Sequence, residues 1–302
     1  MRDELLEKMS QIAEIECDVP LSTMTTLRIG GPARYVAYPD STLALDALFR
    51  IIRSASVPYK VIGKGSNLLC SDDPFDGVII RLDKLDDYYF VGNTLIAQAG
   101  CSIIALAYQA MKNGLSGLEF ASGIPASVGG VAFMNAGAYR SSMSDVIDSV
   151  FVYRDGRFEW IDNAACGFSY RKSIFQQNPD WIVVAVKIQL EDKDINEIRD
   201  LMDSRRERRM ASQPLDKPSA GSVFRNPDLM PAWKLIEGIG YRGKRIGGAL
   251  VSEKHVNFIV NEDHATAKDF LTLVDEIKQR VDEQYQIRLH MEVECFNWLN
   301  RK

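Results

Sequence analysis

The sequence predicts an α+β fold. Three observations carry that expectation: apolar residues recur at helical spacing near both ends of the chain, short apolar runs bounded by turn residues lie between them, and 46% hydrophobic with 25% charged residues over 302 positions is an ordinary globular make-up. This length exceeds the usual single hydrophobic core, so two or three domains are expected. A net charge of −5 argues against nonspecific binding to nucleic acid or an anionic membrane, so an anionic ligand must be held locally.

In chain order, Leu5, Leu6, Met9, Ile12 and Ala13 place a helix over 3–15, and Leu43, Leu45, Leu48, Ile51 and Ile52 place another over 41–54. RYVAYP, VPYKVIG, VIIRL and TLIAQAG, each ending in turn residues, are strands. A helix over 102–112 is closed by Asn113-Gly114, and in FVYRDGRFEWI the pair Asp155-Gly156 supplies the positive φ angles of a tight hairpin turn. WIVVAVKIQL is a further strand. Ile195 to Arg209 is helical and ends in RRERR, where a solvated helix end favoured by the macrodipole is preferred over anion binding. The composition changes after Gln213-Pro214 and Lys217-Pro218, which sets a boundary near residue 210 and gives modules 1–82, 83–209 and 210–302. In the last module Thr266 and Asp269 form a capping-box start to a helix with the stripe Phe270, Leu273, Val274, Ile277, Val281 and Tyr285. IRLHMEVECF alternates Ile287, Leu289, Met291, Val293 and Cys295 against polar residues, as a strand with one wet face does.

The N-terminal MRDELLEKMSQIAEIE has acidic residues from its third position and lacks a continuous apolar region, which argues for a cytoplasmic address. Five scattered cysteines without a CxxC pair fit reduced thiols used in packing, and three histidines without HExxH spacing argue against a histidine-built metal site. No obligate protein partner is evident.

Phe120 to Tyr139, FASGIPASVGGVAFMNAGAY, is free of charge and rich in Gly, Ala and Ser. Pro125, Asn135 and the glycines break any uniform apolar helix, so it does not span a membrane. Its small residues suit either close backbone approach to a ligand, with N–H groups presented to phosphate, or tight backbone packing in a core. GKGSNLL at 63–69 follows a strand, and its Gly63 and Gly65 turn is either a phosphate loop or a structural turn. Leu68 stands where GxGxxG requires a third glycine, so a Rossmann fingerprint is excluded. GIGYRGKR puts Arg245 where a P-loop needs Ser or Thr, and no GxSxG elbow occurs.

Seven blocks, TTLRIGGPA, GKGSNLL, GLEFASGIPASVGGVAFMNAGAY, YRKSIF, PSAGSVFRNP, RIGGALVSEKH and MEVE, occur in one order over nearly the whole chain. In that order the sequence resembles the UDP-N-acetylenolpyruvoylglucosamine reductases, the MurB family, in the shorter subclass that lacks a tyrosine-bearing lid. The resemblance implies an FAD-binding two-module fold of the vanillyl-alcohol-oxidase-like type plus a C-terminal α/β substrate-binding module. It also implies NADPH as hydride donor and UDP-N-acetylglucosamine enolpyruvate as substrate. It places noncovalent FAD on Gly63, Lys64, Gly65, Ser66, Asn67 and Leu68 and on Ser122, Gly123, Pro125, Ser127, Gly129 and Gly130. Its catalytic residues fall on Arg171, Ser222 and Glu292, and its nucleotide-sugar contact on Asn226, with Lys244, Ser252 and His255 as weaker substrate candidates.

Each catalytic residue has a plainer alternative: Arg171 as a surface pair, Ser222 as a turn residue after Gly221, Glu292 as the wet face of the last strand. The chemistry suits the catalytic roles. Hydride delivery to an enolpyruvyl ether leaves an enediolate, which a guanidinium such as Arg171 stabilises bidentately while Glu292, if kept protonated or sharing a proton, offers a second donor and Ser222 the proton. Met291 replaces the proline expected before the glutamate, and the tail CFNWLNRK departs from the family's usual run. The competing readings are another FAD-linked oxidase or dehydrogenase and a noncatalytic UDP-sugar-binding module without flavin.

Overall fold

The computed structural model describes residues 2–298, so the end of the departing tail, residues 299–302, lies outside the described residues. Its contacts gather into two compact units: residues up to Cys17 with Tyr35–Lys64 and Gly77–Glu207, and Asp18–Arg34 with Gly65–Asp76 and the chain from Arg208 on. Two earlier segments join the second unit, and hydrogen bonds explain why. Thr26 Oγ1 donates to the Ser219 carbonyl at 2.7 Å, and the Ala267 amide donates to Asp72 at 2.8 Å.

The first unit holds a five-stranded antiparallel sheet in the order Arg157–Asp162, Ile147–Arg154, Ile182–Gln189, Thr94–Gln98, Tyr88–Val91. Its hairpin turns at Asp155-Gly156, φ 51° and 77°, with Arg154 opposite Arg157 as a two-residue loop requires. A second sheet runs Glu14–Pro20, Pro32–Tyr38, Phe75–Arg81, Tyr59–Ile62, the last two parallel. Helices Thr42–Ser54 and Ile103–Lys112 are capped by Ser41 and Ser102, whose side chains accept the amides three residues on. In the second unit the strands Arg245–Ile246, Ala249–Val251 and Ile259–Asn261 form an antiparallel sheet. Helix Ala267–Tyr285 begins on the expected Thr266/Asp269 capping box and buries Phe270, Leu273, Val274, Ile277 and Val281. The mixture is α+β, as the sequence predicts.

Four expectations need correction. The first helix ends at Ser10, and strand Glu14–Pro20 begins soon after, so Ile12 and Ala13 lie in the turn rather than on a helix. Leu43 is 80% exposed because the buried stripe is Leu45, Leu48, Phe49 and Ile52, and a residue two before Leu45 faces away from it. Only Glu294–Phe296 of the last alternating run is strand, pairing in parallel with Leu68–Cys70. Before it, among the described residues, the run forms one isolated bridge, Phe224–Met291. Cys295 points outward from that strand and Cys17 is also exposed, so only Cys70, Cys101 and Cys166 are packing thiols.

Candidate active site

In the first unit the two glycine-rich segments meet. A Cβ on Gly63 would stand 2.6 Å from Ser127 Oγ and 4.0 Å from the Gly130 Cα. Ser127 is buried and accepts the Gly130 amide as N-cap of helix Val128–Phe133. The Val128 and Gly129 amides donate to the Cys101 and Ala99 carbonyls, both at 2.9 Å. A Cβ on Gly129 would lie 2.9 Å from Ala99 Cβ, so backbone packing accounts for this glycine. Pro125 is exposed. Among the described residues the amides of Ser122 and Gly123 meet no protein acceptor. Their turn is anchored by buried Glu119, whose carboxylate accepts Ser116 Oγ and the Gly117 amide and whose carbonyl accepts Ser122 Oγ. Lys64 pairs with Asp83 at 2.7 Å, beside Arg81. Burial would raise the Asp83 carboxyl, but hydrogen bonds from Arg81 and Lys64 outweigh it and hold the group below the usual carboxylate range.

Arg171 sits in the same unit on a two-residue turn closed by reciprocal Ser169 and Lys172 backbone bonds. Its φ is +55°, a left-handed conformation that a bulky side chain seldom adopts. Neighbours hold it there: Gln176 Nε2 donates to its carbonyl, Ser173 Oγ donates to the Phe133 carbonyl, and Arg171 Nη2 donates to the Gly137 carbonyl at 2.7 Å. Gly137 belongs to a small hairpin whose turn residues Tyr139 and Arg140 also have positive φ. Asn135 ties the assembly together, donating to the Ser169 carbonyl and accepting the Ser144 amide.

The second unit brings Ser222 beside Glu292. The Glu292 amide donates to the Val223 carbonyl at 2.7 Å, and the Arg225 amide donates to the His290 carbonyl at 2.9 Å. Those bonds frame the Phe224–Met291 bridge, so 222–225 and 290–292 run side by side. Asn67 Nδ2 donates to the Glu292 carbonyl and the Asn67 carbonyl accepts the Glu294 amide, which couples the GKGSN turn to the 292–294 segment. Gly65 has φ +62°, and a Cβ there would meet the Met24 carbonyl oxygen at 2.2 Å. Thr26 accepts this closeness: its amide donates to the Gly65 carbonyl while its hydroxyl holds Ser219. Among the described residues no protein acceptor meets the Gly65 and Ser66 amides. Leu68 is buried in the parallel strand pair, so it contributes packing.

The substrate candidates are less converged. Asn226 Oδ1 accepts the Ala232 amide at the start of helix Ala232–Gly238. Lys244 is exposed near the Tyr241 ring. Buried Ser252 accepts the Lys254 and His255 amides, and His255 Nδ1 accepts the Asn257 amide. Burial pushes the His255 ring below its ordinary pKa. Sequence reading missed Asn135, Glu119 and Asn257, because buried polar residues that hold backbone have no periodic signature. The one available signal was the presence of Asn and Glu inside otherwise apolar or small-residue blocks.

Each unit, taken by itself, presents backbone amides without acceptors beside glycine-rich turns, the group type that holds a diphosphate. The residues therefore fit the diphosphate of FAD. This defines a flavin-binding α+β protein, and an FAD binding domain family matches residues 33–162. The UDP-N-acetylenolpyruvoylglucosamine reductase C-terminal domain family matches residues 213–296. The reductase of Bacillus subtilis (strain 168) is 42% identical over 289 residues, 95% of each chain, and that of Carboxydothermus hydrogenoformans is 41% identical over 97% of each. The crystal structure of the Thermus caldophilus enzyme superposes with a TM-score of 0.80 at 36% identity, over 94% of this chain and 98% of that one. The chain belongs to the UDP-N-acetylenolpyruvoylglucosamine reductase (MurB) family.

Proposed function

We propose that this chain is a cytoplasmic flavoenzyme that uses NADPH to reduce UDP-N-acetylglucosamine enolpyruvate to UDP-N-acetylmuramate, in peptidoglycan precursor synthesis. The observation that carries the reading is the pairing of the Ser222 segment with the Glu292 strand, in a chain 42% identical to a named reductase over 95% of its length. Residues 1–82 and 83–209 hold FAD and 210–302 hold the UDP-sugar. Bound FAD would supply the hydride chemistry between NADPH and the vinyl carbon of the enolpyruvyl ether. Residues of the chain manage the charge and the proton. Arg171 offers a planar fork to the substrate carboxylate as it becomes an enediolate, and the bond from Nη2 to the Gly137 carbonyl orients that fork. Ser222 gives its hydroxyl proton to the α-carbon, a transfer that a strongly basic acceptor makes feasible for an ordinary serine. Glu292, one residue along from the Phe224–Met291 bridge, supplies a second donor to the enediolate when its carboxyl carries a proton. In the first unit the Ser122 and Gly123 amides are donors for the diphosphate of FAD, and in the second Asn67 keeps the GKGSN turn against Glu292. NADPH oxidation measured by nicotinamide absorbance, with and without the enolpyruvyl UDP-sugar, tests this. Turnover should require that sugar; a rate independent of it would point to another FAD-linked oxidoreductase.

A further inference from the structure

On one side of the Ser222 segment the neighbour is 257–261, which meets it by backbone at Pro218, Ser219 and Val223, while at Phe224 a single side chain takes the place of backbone. On the other side the segment pairs with 290–292. Facing it, buried Asn257 accepts the Phe224 amide on Oδ1 at 3.0 Å and donates from Nδ2 to the Phe224 carbonyl at 2.9 Å. These are the two bonds that a neighbouring β-strand would make. The Val223 amide adds a bond of 2.8 Å to the Asn257 carbonyl, and the Asn257 amide is held by His255 Nδ1 at 3.2 Å. Before Ser222 the nearest restraint is at Ser219, which bridges Val260 and whose carbonyl accepts Thr26 Oγ1. Gly221 has φ +77° with nothing within 4 Å of a built Cβ, so the chain can swivel there unless Phe224 is fixed.

We infer that Asn257 is the positioning residue for proton delivery by Ser222, an inference that rests on the proposed role of that serine. Planar two-point contact sets both the translation and the rotation of the backbone at Phe224, two residues from the hydroxyl. A general acid acts only within hydrogen-bond reach of the carbon it protonates, and a displacement of about 1 Å costs on the order of 100-fold in rate. Asn257 touches neither substrate nor flavin in this account; it acts through Ser222. Removing its Nδ2 donor leaves the Phe224 carbonyl buried and unpaired, which favours a shifted strand over the native one.

Rapid mixing of the flavin-loaded enzyme separates flavin bleaching by NADPH from recovery of colour on adding the enolpyruvyl UDP-sugar. Asn257→Ala and Asn257→Asp should bleach within about twofold of the parent yet recover roughly 10- to 100-fold more slowly. In a Ser222→Ala background, Asn257→Ala should add no more than about twofold, because both changes remove one step. In Asn257→Asp the introduced carboxyl, when protonated, can again donate to the Phe224 carbonyl. Recovery should therefore speed up as pH falls, relative to the parent, which a merely structural role would not produce. Should Asn257→Ala fail to load flavin, this pH profile decides. Normal recovery in Asn257→Asp, equal losses in both half-reactions, or additive losses with Ser222→Ala would overturn the inference. Normal recovery in Ser222→Ala would instead overturn the role of the serine, and the inference with it; the two failures are told apart by that single variant.

Discussion

Asn135 donates to the Ser169 carbonyl at 2.9 Å across 34 residues of sequence, and so fixes the turn that carries Arg171. Its Oδ1 accepts the Ser144 amide at the same distance, and its own backbone is left-handed at φ 41°. Asn tolerates that conformation better than other non-glycine residues, which explains why a polar side chain is buried here. Asn135→Gly keeps the backbone angle and removes both side-chain bonds. It should lower the melting temperature, since each buried group left unpaired costs about 1–3 kcal/mol. Flavin recovery with substrate should fall more than bleaching by NADPH. Equal effects in both would show that Asn135 serves the unit's stability alone.

Arg171 allows a sharper separation. Arg171→Lys retains a positive charge but loses the planar fork and the bond geometry to the Gly137 carbonyl. Bleaching by NADPH should survive while recovery with the enolpyruvyl substrate slows by one order of magnitude or more, about the effect expected for losing a preorganised donor. Stopped-flow traces check it; parallel loss of both phases would make Arg171 a structural residue.

The sequence made the secondary elements legible where side-chain period and turn chemistry agreed. Asp155-Gly156 and the Thr266/Asp269 box are such places, since a two-residue turn and a capping box each demand particular residues at fixed offsets. Leu43 misled because a stripe was counted without asking which face each leucine occupies. At the candidate site, motif order brought out Ser222 and Glu292, but nothing local shows that residues 70 positions apart pair through backbone bonds. Nor does composition reveal that Gly129 packs on Ala99 while Gly65 packs on Met24. Both glycines look alike in sequence, and only the three-dimensional neighbour decides what a side chain would strike.

That difference can be measured with Gly65→Ala against Gly156→Ala. Both positions have positive φ, so each alanine carries a backbone strain of about 1 kcal/mol. Around Gly156 there is nothing within 4 Å, so Gly156→Ala should lower stability by that strain and leave flavin content unchanged. At Gly65 the new methyl would stand 2.2 Å from the Met24 carbonyl oxygen and 2.8 Å from the Thr25 Cα, so the turn itself must move. Purified Gly65→Ala should be pale by absorbance and melt well below Gly156→Ala. A yellow Gly65→Ala protein with normal activity would remove this turn from the flavin site.

His255 gives the protein a stability that depends on pH with a definite sign. Burial is the main cause that lowers its pKa; a backbone hydrogen bond partly opposes it, and the nearby Arg242 charge adds a smaller lowering. The geometry agrees, because Nδ1 accepts the Asn257 amide and a proton on that nitrogen would face another N–H. With the folded pKa below the ordinary 6.5, the unfolded chain binds more protons between the two values. The neutral ring's contribution is therefore complete above the unfolded pKa and is lost as pH falls from there through the folded value. Melting temperatures taken from about pH 8 to about pH 5 should show this acid arm, and His255→Gln, which does not titrate there, should flatten it. Because the Asn257 amide sits on that ring, recovery of flavin colour should decline over the same acid range before the protein unfolds. An unchanged acid arm in His255→Gln would assign the titration to another group and leave His255 as packing against Phe258.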